Sequence, residues 1–211
     1  MASLDEFLAA NPGALKTALE DNDIIILTRN PGGAAEDILV KLKALLDDKA
    51  PLSAAVTGTD AWYLTSHFAG SAEPISSNLS QVALTGWGTK GDSMTVSSGI
   101  FTFPSTGLWM IQATSCISLE SSGSERNAQL LIQSTRNNAD YDIISIGRAS
   151  VFSDSTFTTS MRSAVAIMSV TDLANHKVRF DSIPTNSNTL TRGGSNDLQT
   201  YFIFTRIGDT E

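Results

Sequence analysis

Asp140 and Asp142 are the side chains in this 211-residue sequence whose spacing comes nearest to chemistry. On an extended strand they share a face, and two carboxylates on one face are what glycoside hydrolysis uses, one as acid and one as base or nucleophile. Together with Asn138 they also offer oxygen at alternate positions, a spacing suited to a hard cation such as calcium. A calcium loop would have a glycine after the third ligand and a glutamate further on, but Ile143 and Ala149 stand there. A solvated loop is the simpler reading of the triplet. The remaining reactive side chains are scattered. His67 and His176 are the only histidines, and neither belongs to a metal or nucleophile motif. Cys116 is the single cysteine, has no internal disulfide partner and lies in a strand-like run, so it reads as a buried, inert thiol. Neither an enzymatic activity nor a cofactor is expected.

Strands would have to position these groups. From about Gln81 onward the apolar pattern has period 2, with strand candidates at 129–133, 141–146, 157–170, 176–180 and 199–207. Loops rich in Ser, Gly and Asn separate them, and no repeat of fixed period is visible, which argues against a β-helix or propeller. The pattern predicts a mainly β chain, with an antiparallel jelly-roll sandwich over residues 81–211.

Within that region the stretch Gly99-Ile-Phe-Thr-Phe-Pro-Ser-Thr-Gly-Leu-Trp-Met-Ile111 reads as a strand, a proline corner, a glycine turn and a second strand. Thr200-Tyr-Phe-Ile-Phe-Thr-Arg-Ile207 is an aromatic strand near the end of the sequence. The corner and the terminal strand together resemble the trimeric jelly-roll heads of the complement and tumour-necrosis-factor superfamily. That resemblance implies a threefold assembly presenting loops. It places Trp109, Tyr201, Phe202 and Phe204 on the two strands that contribute to the inner sheet and the threefold axis. Some complement heads bind calcium, which keeps Asn138, Asp140 and Asp142 as a candidate set. Period 2 splits the last strand into Phe202 with Phe204 and Tyr201 with Ile203. One pair is expected to fill the core and the other to meet the axis. The family's Leu-x-x-Gly-Asp turn is replaced by Val170–His176, and its final Gly-aromatic pattern by Thr200-Tyr201-Phe202. The resemblance therefore supports topology and trimerisation, not a ligand.

Residues 1–50 differ in character. Short helices are expected over 4–10 and 14–20, a strand over 23–28, a turn at Asn30-Pro-Gly-Gly33 and an amphipathic helix over 36–48. That helix carries Ile38, Leu42 and Leu45 on one stripe, too short for a stable coiled coil alone. The order Asp23, an aliphatic run, Gly32-Gly33 and a Leu-spaced helix resembles an N-terminal module of bacteriophage tail-fibre and tailspike proteins, although Ala34-Ala-Glu-Asp37 replaces the usual Lys-Val-Thr. The resemblance implies that this small helix–strand–helix unit anchors the chain to a particle through Ile38, Leu42 and Leu45. Residues 51–80 read as a transition segment, so a chain starting near Gly70 is expected to fold on its own.

Charged residues make up 17% of the chain and the net charge is −8, a balance that argues against a nucleic-acid partner. No apolar segment approaches a membrane span, and acidic residues stand where a secretory leader would be basic. A virion protein made in the host cytoplasm fits these features. The expected partners are copies of itself, capsid or tail proteins of the particle, and a host-surface glycan. The leading reading is a homotrimeric fibre or appendage head. A capsid decoration or cement protein is the alternative, and a tailspike depolymerase using Asp140 and Asp142 ranks third.

Overall fold

A computed structural model describes residues 56–153, 157–195 and 197–210. The expected module at 1–50, with Ile38, Leu42 and Leu45, lies outside the described residues. Every regular element described is a strand: β1 (Gly58–Leu64), β2 (Phe68–Ala69), β3 (Leu79–Gln81), β4 (Thr95–Ser97), β5 (Ile100–Thr102), β6 (Gly107–Leu119), β7 (Gly123–Thr135), β8 (Asp142–Ser153), β9 (Thr158–Val170), β10 (Lys177–Ile183), β11 (Leu190–Thr191) and β12 (Thr200–Gly208). They form two antiparallel sheets. One runs β3-β1-β12-β6, with β9 on the far side of β6 and the short β11 and β2 continuing beyond β12; the other runs β4-β5-β10-β7-β8.

Alternation builds the interior. Trp109, Ile111 and Ala113 of β6 face Phe202 and Phe204 of β12, and all five are buried. From the opposite sheet Phe101, Phe180, Leu130 and Ile132 close on them. Phe180 and Phe202 stack with ring centroids 3.9 Å apart, and Phe101 meets Phe204 at 5.2 Å. A smaller apolar cluster, Ile117, Leu119, Ala128 and Val151, fills one end.

The sequence corner has a specific geometry. Gly107 has φ 144°, and a Cβ there would lie 2.7 Å from the Gly208 carbonyl oxygen, so only glycine lets the β6 start pass beneath the end of β12. At the other open side, Gly147 of β8 brings the two sheets together. A Cβ on it would sit 2.3 Å from the carbonyl oxygen of Ser163 on β9. Gly147→Ala is therefore expected to cost about 1–3 kcal/mol by forcing the strands apart, a loss that urea denaturation of the variant would read directly.

The segment 51–80 is not a transition. It contributes β1, β2 and β3, and β1 lies between β12 and β3 in the larger sheet. Small and turn-forming residues on either side of 61–68 hide that strand in the sequence. Once folded, Leu64 is buried in the core and Trp62 packs edge-on against Phe101 at 5.7 Å. A chain starting near Gly70 would lack β1 and leave one edge of β12 unpaired, so the boundary for truncation belongs ahead of Gly58.

Candidate functional site

The registry of four strands defines a surface on the outward side of the larger sheet. Val165, Gln112, Ile203 and Ala61 form one cross-strand row; Ile167, Met110, Thr205 and Thr59 form the next; Ser163, Thr114, Tyr201 and Tyr63 form a third. None of these side chains is charged. Val165 is 51% and Ile167 61% exposed, and the hydroxyls of Thr114 and Ser163 lie 3.2 Å apart. Exposed apolar side chains continue around the edge, where β8 presents Ile143, Ile144 and Ile146 beside β9. Strand β9 is thus apolar on both faces, Ala164, Ala166 and Met168 inward and Met161, Val165 and Ile167 outward. Two apolar faces are the pattern of a strand covered on both sides.

The terminal strand divides by face. Phe202 and Phe204 lie in the core, whereas Tyr201 and Ile203 lie on the outward rows. Trp109 is also in the core, its indole N–H donating to the Ser105 carbonyl at 3.1 Å, so it takes no part in that surface.

The candidate calcium set spans the turn before β8 and its first residue. Asn138 turns the backbone with φ 55°, and Asp140 accepts from the Asn137 amide at 2.9 Å. Asp142 opens β8 opposite Ser134 on an exposed position. Among the described residues no three His, Cys, Asp or Glu side chains gather as a metal centre would. His176 accepts at Nδ1 from the Thr171 amide at 3.2 Å, and Cys116 is buried, which pushes its thiol pKa up.

Glu125, Asp181 and Arg162 are among the buried titratable side chains, and none belongs to a motif in the sequence. Glu125 receives the amides of Asn127 and Asn186 at 2.8 Å and the hydroxyls of Thr185 and Thr189. Burial works to raise its pKa, but these four hydrogen bonds outweigh it and hold the carboxyl below its ordinary value. Asp181 is the reverse: burial dominates and raises its pKa against the nearby Arg179, which lies 3.6 Å away. Arg162 is 2% exposed and reaches Ser182 at 2.5 Å and Thr191 at 3.4 Å across the interior. Glu125 and Arg162 leave only a charge at an inward position of a strand, whereas Asp181 lies on the other face of β10 from Phe180 and Ser182.

Because its folded pKa lies below the unfolded one, Glu125 contributes stability above the usual glutamate range and loses it as pH falls through the folded pKa. Glu125→Gln is accordingly expected to lower the melting temperature at neutral pH. Its deficit against the natural chain should shrink steadily with acidification, a trend that thermal melts across pH would follow.

No family model and no curated protein matches the sequence. Solved structures do. Eiger TNF from S. frugiperda superposes with a TM-score of 0.51 at 12% identity, over 72% of this chain and 94% of that one. The chain has a TNF-like jelly-roll fold. Murine APRIL is a second neighbour, with a TM-score of 0.48 and 8% identity over 71% of this chain and 98% of its own. At such identities the likeness extends to the fold and carries no residue-level correspondence.

Proposed function

We propose that this chain is a structural virion protein whose TNF-like domain assembles as a homotrimeric head, anchored through residues 1–50 and presenting its loops to a host-surface glycan. The observation that carries the assembly is the uncharged outward face of β9, β6, β12 and β1, continuous with the apolar edge of β8. Within it the exposed Met161, Val165 and Ile167 of β9 run on into Ile143, Ile144 and Ile146 of β8, an apolar cluster of the kind that marks an interaction site. Its two parts also differ, since one is a flat face and the other an edge. An edge of one copy set against the face of the next is a head-to-tail contact, which closes into a ring about an axis. The resemblance of the Gly99–Ile111 corner to trimeric heads gives that ring three members. The virion assignment rests on the likeness of residues 23–46 to phage anchoring modules.

Light scattering of the purified chain tests the first part. The expected mass is that of three chains, and a clean monomer at micromolar concentration would refute the assembly. A chain starting at Pro51 should remain trimeric and fail to bind particles; retained binding would remove the anchoring role of residues 1–50.

One observation favours capsid decoration over a tail appendage. Strand β1 begins at Gly58, so little chain separates residue 50 from the head and no shaft fits between them. Copy number per particle decides: dozens to hundreds mean decoration, whereas a few trimers mean an appendage.

A further inference from the structure

Arg162 sits where the two apolar clusters of the sandwich are separated by a polar layer. Ser115, its partner across β6, lies between Ala113 of the large cluster and Ile117 of the small one. The guanidinium is 2% exposed, and Nη2 reaches the hydroxyls of Ser182, Thr191 and Ser115. Its Nε and Nη1, by contrast, have no protein acceptor. Among the described residues no carboxylate forms an ion pair with it. Glu125 is felt only at a distance, because the oxygens of that side chain are occupied by amides and hydroxyls from elsewhere. Burial brings the Arg162 pKa down to about 10, which leaves the group a full cation at neutral pH.

The unused atoms are all donors, and that decides the chemistry. A second group of orphaned buried atoms, Asp181 Oδ1, Arg179 Nε and Tyr141 Oη, mixes donor with acceptor. A water molecule could serve that group, because water gives and takes. At Arg162 a water would accept from the guanidinium, and its two hydrogens would compete for hydroxyl oxygens already accepting from Nη2, from Thr200 and from one another. A small anion accepts from several N–H and O–H groups at once and has none to place. It also meets a desolvated cation with opposite charge, the strong case for a hydrogen bond. The surrounding hydroxyls can turn to donate.

We infer that the interior of the sandwich holds a small monoatomic anion of the halide class against the Arg162 guanidinium, within the hydroxyl layer of Ser115, Ser182 and Thr191. The anion would bind the folded chain only, so it acts as a stabilising ligand and ties β9 to β10 across the core.

Bromide tests this in the full chain. Crystals grown in bromide should show an anomalous peak in contact with Arg162. In parallel, thermal melts at constant ionic strength, with chloride replaced by the bulky gluconate, should show a melting temperature that rises with each tenfold increase in chloride. Arg162→Met should abolish that rise. An ordered water at the site without an anomalous peak, or a chloride dependence of zero in the natural chain, would overturn the assignment. Should Arg162→Met fail to fold, the bromide peak and the chloride series of the natural chain decide the question alone.

Discussion

Replacing Phe202 by alanine is expected to cost about 3–5 kcal/mol, the range for removing a buried aromatic ring from a close-packed core. The ring stacks on Phe180 at 3.9 Å and meets Phe101 at 6.2 Å, so its loss breaks contacts to both strands of the opposing sheet that face it. It also lies in the middle of its own sheet, with Ala113 on one side and Trp62 on the other. Collapse around the vacated space is limited on every side, which puts the cost toward the upper end. That is a large part of a domain's whole stability. Urea denaturation should show a midpoint far below that of the natural chain, or no folded baseline at all. A midpoint within experimental error of the natural one would mean that the terminal strand is peripheral.

The neighbouring residue should behave differently. Ile203 is on the outward rows, so Ile203→Asp leaves the core intact and places a carboxylate in a surface that carries no charge. In the proposed trimer three such carboxylates would enter the seam. An unpaired charge taken from water there costs several kcal/mol per chain, so the assembly should fall apart into folded monomers. Light scattering should register one third of the natural mass while circular dichroism keeps its β signature. Ile203→Val, which conserves the apolar surface, should stay assembled. An Ile203→Asp protein that remains trimeric would place the contact elsewhere on the molecule.

That these adjacent residues differ was legible in the sequence because period 2 puts them on opposite faces, but with Tyr201 on one face and Phe202 on the other, which face is core was not. The Gly99–Ile111 corner was legible for a similar reason, since proline and glycine each restrict the backbone in one way. Strand β9 was found but its faces were not. With Ala164 and Ala166 on one side and Val165 and Ile167 on the other, alternation carries no signal. Strand β1 was missed because the small residues flanking it imitate a linker, and its partner β12 lies about 140 positions further on. Distance also hid the buried charges. Apart from the Asn127 amide, the donors to Glu125 come from residues some 60 positions away, in Thr185, Asn186 and Thr189.

The place of β12 has a consequence for biosynthesis. It is the last of the twelve strands to leave the ribosome, yet it occupies the centre of its sheet, between β6 and β1. Until it arrives, both neighbours present open edges and the aromatic core lacks Phe202 and Phe204. The nascent chain must therefore wait, holding long-range pairings open, and the sandwich shuts in one late step. A chain cut short before that strand could neither close its core nor complete the uncharged face. Defective copies would then be excluded from the proposed trimer by their own geometry, without a separate inspection.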